Sequence, residues 1–407
     1  MQGGFFLSEI SEHGKNRGEF SELFVFLKSL KDKKILVLGS ELTGTKDRYY
    51  DVRGVIRREG KIELRYMLRD DGSADLFVNG GRVSEYTISR DVIEKGTEFV
   101  DYILDEDRKS GSKGIVSLSD AENCRLIQMM GELHINNVSQ DSTSTTDITL
   151  IVYDEVTKEY LYLPFSIKSF VGANPTLFNA SGATNFIYRL KKEISDSEIT
   201  EINATYNNDV RGWVIKKTSS IYNKYGLEFI SVQTNNGDVS LFDGNLRLID
   251  SRLPEILSEL LLLKYTTGKN NIAELVGMLE KKNPMNFIGN QPFYRYKISE
   301  FLMASFTGMR PSTLWTGYEE VHGGYIIVTR SKTILCFPLS NRNSFMDYLF
   351  KNTYLETGST SRHGFASVFR TSGEVIYKLN LDVRFMEKNE YASYDARESK
   401  SVQETLF

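Results

Sequence analysis

The sequence predicts an α/β (α+β) protein in which a mixed sheet is flanked by helices. Residues 18–31 place leucine and phenylalanine side chains at the spacing of one helix face. Residues 49–103 instead alternate apolar and polar side chains between turn signals, which indicates a β-rich module with hairpins. Helical spacing returns late in the chain, in three segments: 253–264, 271–282 and 293–307.

The remaining elements follow the same two periodicities. A strand is predicted at 35–39, and a short helix is predicted at 118–131 with Ser119 or Asp120 as its N-cap. Further elements are predicted downstream: a helix at 185–194, strands at 211–217 and 227–233, a hairpin at 323–338, a helix at 343–351 and paired strands within 367–385.

The composition is that of an ordinary globular protein with nearly balanced charge. Fifty basic and 54 acidic residues give a net charge of −4, so bulk charge does not indicate a nucleic-acid partner and leaves room only for a local basic cleft. Cys124, Cys336 and the four histidines lack metal-binding spacing, which argues against a zinc site or a disulfide scaffold. No secretory pattern and no apolar run of membrane-spanning length occur, so we expect a cytoplasmic protein without membrane association.

The central part of the chain carries the first chemical pattern. Segments 146–154 and 160–169 are predicted as adjacent strands joined by a polar turn. Since residues two apart share a strand face, Ser166 and Lys168 should point together toward Asp147. A carboxylate that holds a divalent ion, beside a lysine that orients water and adds positive charge, suits phosphodiester cleavage. By itself the pattern is also that of a surface hairpin with a chance aspartate and lysine.

This hairpin resembles the PD-(D/E)xK nucleases, in which an aspartate on one strand faces an acidic residue and a lysine on the next. The acidic position is occupied here by Ser166, which cannot hold a metal as a carboxylate does. The resemblance to the first-helix pattern of such enzymes makes Glu22 the best candidate for the missing acid. Three other glutamates compete for this role: Glu19, Glu122 and Glu132.

A loop of small polar residues follows the hairpin. Short donors and acceptors beside glycines suit close approach to phosphates and base edges, although an ordinary capped loop before a helix has the same composition. The candidate DNA-binding residues of this region are Ser169, Asn174, Thr176, Asn179, Ser181, Thr184 and Asn185.

Longer phrases extend the resemblance to one family. The chain resembles the HpaII family of type II restriction endonucleases in the segments 14–30, 146–169, 174–190, 322–328, 341–353, 361–365 and 379–385. The resemblance implies Mg2+-dependent cleavage of double-stranded DNA at a short palindromic site, CCGG for the founding member. It also implies Asp147, Lys168 and Glu22 as catalytic residues, with Asp147 and Glu22 on the metal. Ser361, Arg362 and His363 are the C-terminal residues expected to touch DNA.

The same resemblance leads us to expect a homodimer, because a palindromic target is matched by a two-fold protein. A cognate DNA methyltransferase is expected in the same system, without forming a stable complex. The alternatives are a catalytically silent DNA-binding relative and a structure-selective nuclease of the same fold. A methyltransferase is disfavoured, since the sequence contains neither a glycine-rich cofactor loop nor an NPPY-like motif.

Five segments are expected along the chain. They are the first helix and strand of a nuclease core (1–45), a β-rich module or insertion (46–110), the catalytic core (111–200), a mixed region for DNA recognition and dimerisation (201–385) and a polar tail (386–407).

Overall fold

The computed structural model describes residues 15–37, 48–79, 86–105, 115–139, 146–154, 157–206, 212–318, 323–339, 342–359 and 362–386. Its helices are α1 (Arg17–Asp32), α2 (Arg90–Ile103), α3 (Asp120–Glu132), α4 (Asp196–Thr205), α5 (Trp213–Tyr225), α6 (Leu241–Ile249), α7 (Leu253–Thr267), α8 (Ile272–Lys282), α9 (Phe293–Thr307) and α10 (Arg342–Lys351). Within these residues, none of the helices is both long and apolar enough to cross a membrane.

The strands are β1 (Lys34–Val37), β2 (Arg48–Glu59), β3 (Ile62–Leu68), β4 (Ala74–Asn79), β5 (Tyr86–Ile88), β6 (Ile148–Asp154), β7 (Glu159–Ser169), β8 (Thr176–Phe178), β9 (Asn185–Leu190), β10 (Leu227–Gln233), β11 (Gly324–Val328), β12 (Ile334–Pro338), β13 (Thr353–Leu355), β14 (Val368–Thr371), β15 (Glu374–Asn380) and β16 (Val383–Phe385). The predicted mixed α/β class is confirmed at this level. The chain divides into two compact units, which are described in turn.

The first unit comprises residues 1–175, 320–345 and 387–407 and contains a nine-stranded mixed sheet. The strand order is β1-β12-β11-β7-β6-β2-β3-β4-β5, and β1 also pairs with β2. This extra pairing closes β1, β12, β11, β7, β6 and β2 into a six-stranded barrel, which the sequence did not predict. Strands β3 to β5 extend from β2 as an antiparallel meander.

Helix α1 is buried among these strands. It begins at a capping box, in which the Asn16 side chain accepts from the Glu19 backbone and Glu19 bonds back to Asn16. Nine of its sixteen residues are buried, including phenylalanines, valine and leucines that point in several directions. A helix with so broad an apolar surface is stable only when it is enclosed by other elements. Here α1 shares one buried cluster with α2, α3 and the barrel strands.

Strands β6 and β7 direct alternate residues to the two sides of the sheet. Ile148, Leu150 and Val152 of β6 and Phe165 of β7 belong to the buried cluster around α1. Their neighbours along each strand point to the opposite side of the sheet, because side chains alternate with a period of two. We call this opposite side the outer face, and Asp147, Ser166 and Lys168 lie on it.

The second unit comprises residues 176–319 and 346–386. It contains a four-stranded sheet of order β10-β9-β15-β14 and a three-stranded sheet of order β13-β16-β8. Helices α4 to α9 also belong to it. The aromatic rings of Phe178, Phe242 and Phe301 pack together in its core, with centroids 4.9 to 6.5 Å apart.

Most predicted elements are confirmed, but two are of the wrong type. The confirmed elements are α1, α3 with Ser119 as its N-cap, β6, β7, β10, the β11–β12 hairpin and helices α7 to α10. Residues 185–190, predicted as the start of a helix, form β9 between β10 and β15, because both of its faces are buried and helical periodicity is absent. Residues 213–217, predicted as part of a strand, begin α5, whose buried residues Val214, Thr218, Ile221 and Tyr225 have helical spacing.

Three helices were missed, namely α2, α4 and α6. Helix α2 lies inside the segment predicted as wholly β-rich, yet Ile93, Gly96, Val100 and Ile103 are buried at helical spacing. The alternating pattern on either side concealed this change of period. The tail predicted after residue 386 lies outside the described residues.

Two glycines at the start of β11 allow it to pack closely against both neighbours, Gly323 against β7 and Gly324 against β12. A Cβ atom at Gly323 would lie 2.5 Å from the Pro164 carbonyl oxygen, and one at Gly324 would lie 2.1 Å from the Phe337 carbonyl oxygen. Gly324 also has a φ of +131°, which side chains rarely adopt. The register aligns Gly324 with Phe165 and the following Tyr325 with Ser166.

We expect Gly324→Ala to lower the free energy of unfolding by about 2 kcal/mol or more, because strain and a backbone clash add. Gly60→Ala is the matched control, since Gly60 also has a positive φ but open space around it. It should cost about 1 to 2 kcal/mol from backbone strain alone. Urea unfolding of both variants measures the difference, and equal losses would contradict the steric account of Gly324.

Candidate active site

Asp147 is held at the start of β6 by the strand next to it. The register that aligns Ile148 with Phe165 brings Asp147 opposite Ser166. The Asp147 backbone N–H donates to the Phe165 carbonyl over 2.9 Å. Its carboxylate oxygen Oδ2 accepts from Ser166 Oγ at 3.1 Å and from the Ile167 backbone N–H at 2.6 Å. Two donors therefore fix the orientation of this carboxylate.

Lys168 lies on the same face of β7 as Ser166, two residues further along. Strand β11 runs parallel to β7 on its other side and aligns Ile327 with Lys168. Lys168 is half-buried, and Ser166 is buried. The structure thus brings Asp147, Ser166 and Lys168 onto one face of two adjacent strands, which is the arrangement that the sequence pattern predicted.

The first turns of α1 are fixed to the end of the same strand. Ser21 Oγ donates to the Arg17 carbonyl over 2.8 Å and is hydrogen-bonded to Ser169 Oγ at 2.7 Å. Glu22, the next residue on α1, is half-buried. Glu22 therefore directly follows Ser21, the α1 residue that contacts the strand carrying Lys168.

The three competing glutamates have structural partners of their own. Glu19 completes the capping box of α1 and pairs with Lys15. Glu122 completes the capping box of α3 by accepting from Ser119. Glu132 accepts from Gln128 one turn earlier. All three glutamates thus make hydrogen bonds within or at the end of their own helices.

A magnesium ion fits the donor set of this region. Among the described residues, no group of three or more His, Cys, Asp or Glu side chains could hold a metal. Mg2+ does not require such a cage, since it keeps several waters and binds through one or two carboxylates together with substrate phosphates. The oriented carboxylate of Asp147 is one ligand of the kind that this requires.

Some polar side chains of the loop that follows the β6–β7 hairpin stabilise the fold. Thr184 and Asn185 are buried, and both bond to Asn380, with Thr184 Oγ1 donating to Asn380 Oδ1 and Asn380 Nδ2 donating to Asn185 Oδ1. Ser181 accepts through its backbone carbonyl from the same Asn380 amide. Ser169 is engaged by Ser21. These bonds satisfy buried polar groups, so the side chains of Thr184 and Asn185 are committed to the fold.

Other candidates face solvent wholly or in part. Asn179 and Arg362 are exposed, while Asn174, Thr176 and His363 are half-buried. Ser361 lies outside the described residues. Asn174, like Ser169, belongs to the first unit, and Thr176, Asn179, Arg362 and His363 belong to the second.

One hydrogen-bonded chain joins two of the predicted segments. Asn185 Nδ2 donates to Asn235 Oδ1 at 3.2 Å, and Asn235 Nδ2 lies 3.0 Å from His363 Nδ1. His363 has a φ of +60°, a conformation that histidine adopts only occasionally. Asn235 was not singled out from the sequence, although its place in a polar turn after β10 is typical of a surface hydrogen-bonding residue.

The sequence reasoning also missed a buried cluster of charged residues that contacts the loop through Ala180. Asp382 accepts from the backbone N–H of Ala180, and burial raises the pKa of its carboxyl from 3.8 to about 6. Burial lowers the pKa of Lys264 to about 7, and its ammonium donates to the Glu356 carbonyl. An aspartate and a lysine more than a hundred residues apart give no local signal of such a cluster.

Comparison with known proteins places this chain in a family. The family model of the HpaII restriction endonuclease matches residues 16–385. The Type II restriction enzyme HpaII of Haemophilus parainfluenzae is 32% identical over 374 residues, covering 91% of this chain and 98% of that protein. No solved structure matches.

An oriented carboxylate and a lysine on one face of adjacent strands are the groups expected of a phosphodiesterase. The chain belongs to the HpaII family of type II restriction endonucleases. It is accordingly a site-specific deoxyribonuclease, and the resemblance found in its sequence is confirmed.

The raised pKa of Asp382 predicts a pH-dependent stability. Because the folded state holds this proton more tightly than the unfolded state does, the stabilisation is complete below pH 3.8 and is lost as the pH rises through about 6. Asp382→Asn removes the titration. The stability of the wild type relative to this variant should therefore fall between pH 4 and pH 6.

Unfolding by urea at a series of pH values measures this difference. Asp196→Asn is the control, since Asp196 is an exposed aspartate of the same unit. The control should not show the decrease. A constant difference between wild type and Asp382→Asn across the window would contradict the raised pKa.

Proposed function

We propose that this deoxyribonuclease hydrolyses double-stranded DNA at a short palindromic site, with an active centre of the PD-(D/E)xK type built on Asp147, Lys168 and Glu22. The observation that carries the proposal is the cross-strand bond from Ser166 to Asp147, with Lys168 two residues further on the same face. This bond fixes a carboxylate beside a lysine at the end of two paired strands.

Each residue has a distinct part in the reaction. Asp147 and Glu22 would hold Mg2+, which supplies an activated water and neutralises charge on the phosphate. Lys168 orients that water and stabilises the negative charge that develops during attack. Ser166 takes the position of the usual second acid and, together with the Ile167 N–H, keeps the Asp147 carboxylate in one orientation.

Recognition of the target is assigned to the second unit. Arg362 is exposed, and a guanidinium can donate two bonds to O6 and N7 of guanine. His363, aligned by Asn235, and the exposed Asn179 are the other side chains proposed to reach DNA. A target such as CCGG or a related sequence suits this contact, because it contains guanines that an arginine can bind. We further propose that two copies act as a homodimer on the palindrome and that a cognate methyltransferase protects the host DNA.

Sequencing the ends of genomic DNA digested with the purified protein and Mg2+ tests the proposal directly. A single palindromic motif at all ends is expected and gives both the target and the cut position. Ends without a shared motif would favour cleavage selected by DNA structure. Binding without cleavage in Mg2+ or any other divalent ion would contradict the catalytic assignment.

We expect Asp147→Ala to reduce cleavage by roughly a thousandfold or more, the scale on which an enzyme depends on a group that stabilises transition-state charge. Binding of the same DNA in Ca2+ should persist. Lys168→Met should lose cleavage in the same way. The control is Asp154→Asn, at the other end of β6. Retained cleavage by Asp147→Ala would overturn the metal assignment.

We expect Glu22→Gln to lose cleavage as severely, since it removes one of the two proposed carboxylate ligands. Raising the Mg2+ concentration should restore part of the activity, because the remaining ligand binds the ion more weakly. Glu19→Gln is the matched control on the same helix and should affect stability through the capping box rather than cleavage. Wild-type activity of Glu22→Gln would move the role to another acid.

A further inference from the structure

The outer face of the first unit carries a second group of side chains beyond the proposed active centre. Tyr153 of β6 and Tyr160 and Tyr162 of β7 point away from α1, together with Arg58 of β2 and Arg65 of β3. We call these five residues, with Arg53, the tyrosine–arginine face.

The register places this group on the same side of the sheet as Asp147. Asp147 and Tyr153 are an even number of positions apart along the chain, and such residues share a face in a strand. Tyr160 is aligned with Tyr153, and Tyr162 is aligned with Ile151. Across β2, Thr149 is aligned with Ile56, which in turn is aligned with Arg65. The proposed active centre and the tyrosines thus lie on the same side of the sheet, with the buried Ile151 between them.

Contacts between the side chains bear out this register. The Arg65 guanidinium lies 5.7 Å from the centroid of the Tyr162 ring, and the Arg53 guanidinium lies 5.9 Å from that of Tyr153. The rings of Tyr153 and Tyr160 lie 5.4 Å apart. A guanidinium that rests on a ring keeps its N–H groups free to donate at its edge, a geometry suited to phosphate oxygens.

The ends of these side chains are accessible to solvent. Tyr160 and Tyr162 are 53% and 51% exposed, and the Arg58 side chain is 58% exposed. Single exposed aromatic side chains are normal on a protein surface, but here three tyrosines form one group. Tyrosine and arginine are also the residues most enriched where proteins bind partners.

The charge of this face suits a polyanion. Glu63 is shared by Arg58 and Arg65, with its two oxygens 3.3 and 3.0 Å from the guanidinium nitrogens. One carboxylate thus faces two guanidinium groups, and this group keeps a positive charge. Arg53 pairs with Asp51 at the surface. Exposed pairs of this kind are weak, so DNA phosphates can compete for the arginines.

We propose that the tyrosine–arginine face binds the phosphate backbone of the DNA that flanks the cleavage site. The inference rests on the proposed function of Asp147 and Lys168, because it uses their position on the same side of the sheet. Arg58 and Arg65 donate to phosphates, and the Tyr162 ring packs against the Arg65 guanidinium. Contacts of this class position the duplex without reading its sequence.

The extent of the tyrosine–arginine face along β6 predicts how much flanking DNA it contacts. Arg58 lies two residues beyond Ile56, which is aligned with Thr149, so the face begins level with Asp147. Tyr153 lies roughly 20 Å further along β6, at about 3.3 Å per residue. This distance corresponds to about six base pairs, at about 3.4 Å along each DNA strand. Affinity should therefore depend on duplex that extends about that far beyond the cleaved phosphate.

The first test varies the DNA and uses the wild-type protein. Duplexes carrying the cleaved site with flanks of three, six and twelve base pairs are titrated by fluorescence anisotropy in Ca2+. Affinity is expected to rise from the shortest to the middle flank and then to level off. Equal affinity for all three lengths would overturn the proposal.

The second test removes the arginines. Arg58→Gln together with Arg65→Gln should bind the long duplex roughly tenfold more weakly, and the slope of log affinity against log salt should fall by about 1 for each arginine removed. Arg90→Gln, on the exposed surface of α2, is the matched control and should leave affinity and slope unchanged.

The outcome separates this proposal from the assignment of the active centre. Single-turnover cleavage at saturating DNA should keep its wild-type rate in the arginine variant, because Asp147 and Lys168 are untouched. An unchanged salt slope in that variant would overturn the DNA contact and leave the active centre standing. Cleavage retained by Asp147→Ala would overturn the active centre instead.

Discussion

Helix α1 has to be buried on almost every side, and this requirement governs the unit around it. Its phenylalanines, valine and leucines point in several directions, so a single sheet face cannot cover them. The barrel strands supply one apolar face each, and α2 and α3 contribute to the same buried cluster. Alternate residues of β6 and β7 point toward this helix, so the residues between them lie on the outer face. Asp147, Ser166 and Lys168 belong to this second group.

The proposed active centre follows from this division of each strand. Asp147 and Ser166 stand opposite each other because Ile148 and Phe165 are aligned over α1. A shift of one residue in that register would bury Lys168 and expose Ile167, so packing around the helix and placement of the lysine cannot vary independently. The glycines that begin β11 belong to the same arrangement, since they allow a third strand to pair with the one that carries Ser166.

Periodicity identified most elements of this fold, and its failures have physical causes. The alternation of β6 and β7 and the apolar stripes of α7 to α9 are local signals that burial preserves. In contrast, β9 is buried on both faces, and an apolar run of that kind does not distinguish a strand from a buried helix. Closure of the barrel depends on β1 pairing with β12, about three hundred residues later in the chain. No local pattern could predict that pairing.

The candidate site shows the same limit at the level of single residues. Asp147, Ser166 and Lys168 could be grouped from spacing because adjacent strands fix their geometry. The loop residues could not be sorted by composition, since Thr184 and Asn185 have the polarity of DNA contacts yet are buried against Asn380. The tyrosine–arginine face escaped notice for the opposite reason. Its members are dispersed over β2, β3, β6 and β7, and only the register of four strands brings them together on the face that also holds Asp147.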